Sequence, residues 1–161
     1  MSLKEDIGGF FGKPEGRRVV LVGIGSSIRH DDVVGLRMLE LLEGKLPKNV
    51  LLLQTETVPE SYTSAIRDFA PTHVLLLDAA HFRGIPGEGR IIPKNKIANV
   101  SVSTHSLPLH ILIDYIQKSI CPKVALLGIQ GMNIELGKGL SPEVEEGAKT
   151  IIDLLIDVLN K

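Results

Sequence analysis

Scarce aromatic residues and a single cysteine set the first limits on this 161-residue chain. Aromatic residues make up only 4% of the sequence and tryptophan is absent, so the 43% of hydrophobic residues would form an aliphatic core. The one cysteine, Cys121, excludes an internal disulfide and is typical of a protein in a reducing compartment. The chain length is typical of one domain that buries a substantial core.

Long apolar runs and basic clusters are also missing. No run approaches the roughly 18 apolar residues of a membrane span, and the first residues lack the apolar region of a signal peptide. The formal net charge is -1, and no basic cluster is longer than Arg17-Arg18. These absences argue against nucleic acid or an anionic membrane as the main partner, and we expect a cytoplasmic protein without membrane insertion.

Short apolar runs alternate with segments whose apolar residues have helical spacing. An unbroken apolar run is typical of a strand buried on both faces of a sheet. Helices are predicted to begin near Asp32, Pro59, Ser106 and Ser141. In the last of these helices the Ser141 hydroxyl would cap the start, and the helix would end near Asn160. The alternation predicts a three-layer α/β/α sandwich with a mostly parallel sheet. The predicted strands are Arg18–Ile24, Val50–Gln54, His73–Ala79, Arg90–Ile92 and Lys123–Ile129.

The fourth predicted strand differs from the others in direction. The preceding segment, His81–Gly89, contains three glycines and a proline and has no room for a crossover helix. Because a parallel return needs about a dozen residues or more, we expect Arg90–Ile92 to run antiparallel to its predecessor. Residues 1–17 are rich in glycine and charge and are predicted to form a loosely docked arm, with residues 18–161 as the single domain.

Two glycines follow the first predicted strand and could belong to a cofactor loop. Gly23 and Gly25 match the start of a dinucleotide fingerprint, but Ile28 occupies the place of its third glycine. Glu56, after the second strand, is suited to binding a ribose in a nucleotide or methyl-donor site. A small-molecule enzyme that uses the Gly23–Gly25 loop therefore remains one interpretation.

Three polar residues recur at corresponding ends of the predicted elements. Asp32 opens a helix after the first strand, Asp78 ends the third strand, and His105 precedes the helix near Ser106. The carboxyl ends of parallel strands meet at one edge of a sheet, which is where ligands bind in open α/β folds. Two carboxylates and an imidazole there suit a divalent metal ion. Taken singly, each of these three residues also has a purely structural interpretation, such as a helix cap. Asp31, which precedes Asp32, is expected to be a plain cap or an exposed neighbour of the site.

Four motifs in order resemble those of the nickel-iron hydrogenase maturation endopeptidases, in particular the formate-hydrogenlyase branch with its hydrogenase 3 maturation proteases. The family's usual asparagine after the second glycine is Ser26 here. The G-x-G-N-x-x-x-x-D-D-x-x-G motif is matched at Gly23, Gly25, Asp31, Asp32 and Gly35, and the V-x-x-x-D motif at Val74–Asp78. The segment Ser103–Leu109 resembles the T-H-x-M-P-L motif, and Leu127–Gln130 resembles the L-G-I-Q motif.

The resemblance implies both a fold and an activity. The fold would be a five-stranded mixed sheet between helices, with strand 4 antiparallel. The activity would be removal of a C-terminal extension from the hydrogenase large-subunit precursor after nickel insertion. Asp32, Asp78 and His105 would bind the nickel that the precursor supplies, no organic cofactor would be needed, and the catalytic group would overlap this metal site. A metallochaperone with the same three ligands and no proteolysis remains an alternative.

Overall fold

The computed structural model describes residues 2–99, 101–102 and 108–161. Three 3₁₀ turns, at His30–Val33, Pro59–Tyr62 and Lys94–Asn99, join the regular elements. The helices are α1 Leu3–Phe11, α2 Val34–Leu42, α3 Thr63–Phe69, α4 Leu109–Ser119 and α5 Pro142–Leu159. The strands are β1 Val19–Ile24, β2 Val50–Glu56, β3 His73–His81, β4 Gly89–Ile92, β5 Ser101–Val102 and β6 Lys123–Gln130.

One mixed sheet forms the centre of the molecule. Its strand order is β2-β1-β3-β6-β4, and the first four of these strands are parallel. Strand β4 lies at the edge and runs antiparallel to β6, which confirms the predicted direction of the fourth strand. The two-residue strand β5, which the sequence did not predict, pairs antiparallel with the end of β3.

Hydrophobic residues cover both faces of this sheet. Successive side chains of a strand point to opposite faces, so Val19 and Leu21 pack toward α1, α2 and α5, whereas Val20 and Val22 pack toward α3 and α4. All four side chains are fully buried. This arrangement confirms the predicted three-layer α/β/α sandwich. In the described part of the chain, every helix is too short or too polar to cross a bilayer.

The expectation of a loosely docked N-terminal arm is wrong. Ser2 and Glu5 form a capping box in which the Ser2 hydroxyl accepts a hydrogen bond from the Glu5 backbone N–H at 3.2 Å. Ile7 and Phe11 are buried in the core, and the ring of Phe10 lies 5.5 Å from that of His73. The Gly8-Gly9 pair in the middle of α1 concealed its helical spacing, because glycine disfavours helix interiors.

We expect the stability of the protein to fall as the pH drops below about 6.5. Burial lowers the pKa of His73 from its ordinary value of 6.5, and the nearby positive charges of Arg17 and Lys123 lower it further. His73 therefore binds a proton at a higher pH in the unfolded chain than in the folded chain. The stability that comes from keeping His73 neutral is lost as the pH falls from about 6.5 through the lower pKa of the folded protein. Thermal melts from pH 7.5 to 5 would measure the loss. His73→Gln should flatten this dependence, and an unchanged slope in that variant would contradict the assignment.

Candidate active site

The first candidate residue, Asp32, lies in the turn that follows β1. The sequence predicted an α-helix from Asp32, but residues His30–Val33 form a 3₁₀ turn and the α-helix begins only at Val34. The backbone N–H of Ser26 donates a hydrogen bond to the Asp32 carboxylate at 3.0 Å, and the Asp32 side chain is fully buried. The carboxylate is thus held at the carboxyl end of β1.

Two glycines of the first motif let the backbone pack closely around this turn. A Cβ atom at Gly25 would overlap the carbonyl oxygen of Asp32, and one at Gly35 would overlap the carbonyl oxygens of Ile24 and Leu77. Gly35 therefore lets the start of α2 lie directly on the ends of β1 and β3. Both motif glycines have a steric role in placing Asp32.

The second candidate, Asp78, lies near the end of β3. It is fully buried and pairs in register with Gly128 of β6, and the preceding residue of β3 pairs with Gly23 of β1. The 3₁₀ turn that carries Asp32 contacts β3. Both carboxylates therefore lie at the same edge of the sheet, Asp32 in the turn after β1 and Asp78 near the end of the adjacent parallel strand β3. By the alternation of side chains along β3, Asp78 faces the layer formed by α3 and α4.

The third candidate, His105, lies outside the described residues, as does the predicted start of its helix at Ser106. The described helix α4 begins at Leu109, directly after Pro108. On the other side of the gap, Val102 of β5 pairs with Ala80, two residues beyond Asp78. Among the described residues, no group of three His, Cys, Asp or Glu side chains could hold a metal ion. The predicted trio includes His105, so its ability to bind metal stays a prediction.

The expectation that Asp31 is a plain cap or an exposed neighbour is wrong. Its carboxylate is fully buried and accepts hydrogen bonds from the backbone N–H groups of Met132 at 2.9 Å, Asn133 at 2.8 Å and Ser141 at 2.6 Å. The Ser141 hydroxyl donates to it as well, at 2.8 Å, instead of capping α5. Burial acts to raise the pKa of Asp31, but these donors outweigh it and lower the pKa.

Gln130 organises the neighbouring loop, whereas the sequence marks it only as the last residue of the L-G-I-Q motif. It is buried at the end of β6, and its Oε1 accepts hydrogen bonds from the backbone N–H groups of Phe82 at 2.9 Å and Gly84 at 3.0 Å. Its Nε2 donates to Nδ1 of His81 at 2.9 Å. The available signal was a polar residue ending an apolar strand, the same signal that singled out Asp78.

Glu56, the residue suited to a ribose, is exposed and has a positive φ of 52°. Its backbone carbonyl accepts a hydrogen bond from the N–H of Gly25 at 2.9 Å. The backbone of Glu56 thus supports the turn after β1.

A mostly parallel sheet that presents two buried carboxylates at its carboxyl edge is typical of an α/β enzyme. Residues 36–158 match the family model of the HycI hydrogenase maturation proteases. The chain is 31% identical over 137 residues to the hydrogenase 3 maturation protease of Escherichia coli K12, covering 84% of this chain and 87% of that protein. It is also similar to the crystal structure of the [NiFe] hydrogenase maturation protease HycI from Thermococcus kodakarensis KOD1, with a TM-score of 0.84, 33% identity and coverage of 99% of this chain and 100% of that one.

The chain belongs to the hydrogenase maturation protease family. The family match extends over most of the domain, from within α2 to within α5, and the structural match extends over nearly the whole chain. The protein is therefore a peptidase of hydrogenase maturation, as the four motifs implied.

Proposed function

We propose that this peptidase removes the C-terminal extension of a nickel-iron hydrogenase large-subunit precursor after nickel has been inserted, and that it recognises the bound nickel. Membership of the family supports a role in hydrogenase maturation. The observation that supports recognition of nickel is the pair of fully buried carboxylates, Asp32 and Asp78, at the carboxyl edge of the sheet. A cation offsets the repulsion between two such groups.

Asp32, Asp78 and His105 are the proposed nickel ligands. The pairing of Val102 with Ala80 supports the inclusion of His105, because it places residue 102, three positions before His105 in the sequence, beside the end of β3. Carboxylate and imidazole are ordinary ligands for first-row divalent ions and lack the thiolates that give very tight, selective binding. Cys121 does not supply one, since its thiol is buried and burial raises its pKa.

A site of this kind favours nickel that is already fixed in the substrate. The precursor and the protease would each contribute part of the coordination, so that docking places the scissile bond beside the carboxylates. One carboxylate could then act as a general base toward water. The single reduced cysteine is consistent with this processing taking place in the cytoplasm.

We expect nickel-free precursor to stay uncut even with excess protease, because without nickel the carboxylates have no ion to bind. The test mixes purified protease with nickel-free or nickel-loaded precursor and follows loss of the C-terminal tail by mass spectrometry. Only the nickel-loaded precursor should be shortened, and zinc added to the protease alone should not rescue the nickel-free form.

Two results would contradict this proposal. Efficient cutting of nickel-free precursor would refute recognition of nickel and favour a metal that resides in the protease. Transfer of nickel from protease to precursor without any cutting would favour the metallochaperone alternative.

A further inference from the structure

Exposed hydrophobic side chains concentrate at the edge of the sheet that carries the candidate site. Of the eight large hydrophobic side chains that are exposed among the described residues, six lie in loops that leave the carboxyl ends of parallel strands. Isolated surface hydrophobics are normal, but a group of them at one place marks an interaction surface. The six are Ile28, Val58, Ile85, Met132, Ile134 and Leu136.

Four of these residues belong to two loops that are joined to each other. The loops comprise residues 26–33 and 131–141, which we call the paired loops. The N–H of His30 donates to the carbonyl of Gly137 at 2.9 Å, and the N–H of Gly137 donates to the carbonyl of Ile28 at 2.9 Å. A Cβ atom at residue 137 would overlap the ring of His30, so glycine is needed for this approach.

The side chain of Asp31 links the two paired loops by hydrogen bonds. Its buried carboxylate accepts four hydrogen bonds, all from residues of the 131–141 loop. A charged acceptor of several backbone N–H groups makes stronger hydrogen bonds than a neutral one. Because Asp31 adjoins Asp32, the same turn presents the candidate nickel ligand and holds the loop that carries the exposed hydrophobics.

We propose that Ile28, Met132, Ile134 and Leu136, which we call the apolar rim, bind an apolar surface of the folded precursor beside its nickel site. These side chains are exposed by 57%, 57%, 51% and 68%, respectively. This inference rests on the proposed function, because the precursor is the occupant that must approach Asp32. A stable protein interface buries about 800 Å² on each partner, and the fully buried carboxylates do not present such an area. The paired loops are continuous with the Asp32 turn and add apolar surface beside it.

The test uses the double variant Ile134→Ser/Leu136→Ser and measures its affinity for nickel-loaded precursor, together with processing. Loss of two apolar contacts should raise Kd about tenfold or more, which corresponds to roughly 1.4 kcal/mol. The melting temperature should change little, since both side chains are mostly exposed. Tyr115→Ser in α4 is the matched control, because Tyr115 is also exposed but lies outside the paired loops, and its Kd should equal that of the wild type.

The outcomes separate this proposal from the proposed function. An unchanged Kd in the double variant, or an equal rise in the Tyr115→Ser control, would overturn the role of the apolar rim. If the double variant instead abolished self-association of the protease while Kd stayed constant, the rim would be an interface between copies of this chain. Tight, rim-dependent binding without cleavage would support the rim and refute only the proposed removal of the C-terminal extension.

Discussion

Replacement of Asp78 by Asn is expected to reduce precursor processing by roughly a thousandfold or more, the scale seen when one member of a catalytic unit is removed. The substitution keeps the shape of the side chain but removes its negative charge, so the nickel of the precursor would lose a ligand. Asp78 lies near the end of β3 and not in either hydrophobic cluster. The fold should therefore survive, as judged by thermal melting, while processing is followed by mass spectrometry. His105→Ala is expected to give the same loss of processing.

The control for this variant lies two residues earlier in the same strand. Leu76 is fully buried in the cluster under α3 and α4, and Leu76→Ala should lower the free energy of unfolding by about 2–5 kcal/mol. If Asp78→Asn destabilised the protein as much as Leu76→Ala does, Asp78 would have a structural role. Normal processing by a stable Asp78→Asn protein would likewise contradict its role as a ligand.

Gly35→Ala is expected to lower the free energy of unfolding by about 3 kcal/mol, at the upper end of the usual cost of overpacking. The added Cβ would meet the carbonyl oxygens of Leu77 and Ile24, and backbone atoms of two central strands cannot move aside as a flexible side chain can. Helix α2 would be displaced from β1 and β3, so the Asp32 turn would be distorted as well. Urea denaturation would measure the loss of stability.

Gly9→Ala is the matched control for this substitution. Gly9 is an exposed residue within α1, and a Cβ there would have no neighbour within 4 Å. Alanine should stabilise the helix by about 0.5–1 kcal/mol, because glycine loses more backbone entropy on folding. If the two variants shifted stability in the same direction, steric contact at Gly35 would not explain the effect.

The sequence was sufficient to predict the central strands, since continuous apolar runs such as Val74–Leu77 have few alternatives in a protein of this size. The direction of β4 followed from the length of the loop before it. The helix α1 was not predicted because two glycines interrupt its hydrophobic pattern. The two-residue strand β5 is too short to have a pattern, and it exists only through its pairing with β3.

The sequence was sufficient to predict the two carboxylates of the candidate site, but not the hydrogen bonds that support them. Asp78 ends an apolar run and Asp32 lies at the start of the helical segment after one, and both positions indicate the carboxyl edge of a parallel sheet. The role of Asp31 could not be predicted, because its donors lie about a hundred residues away and the contact depends on the folded structure. The side-chain hydrogen bonds of Gln130 to Phe82, Gly84 and His81 depend in the same way on how β3 and β6 are aligned.

The hydrogen bonds of Asp31 also impose an order on biosynthesis. Its partners Asn133 and Ser141 are translated long after β1, and α1 packs against α5, which follows Ser141 in the chain. The turn that carries Asp31 and Asp32 therefore cannot reach its final geometry before residues 131–141 have been made. A nascent chain that has already formed its β1–β2–β3 sheet would still lack a complete peptidase site. Synthesis of residues 131–141, and not formation of the β1–β2–β3 sheet, thus sets the earliest point at which this turn has all of its hydrogen-bond donors.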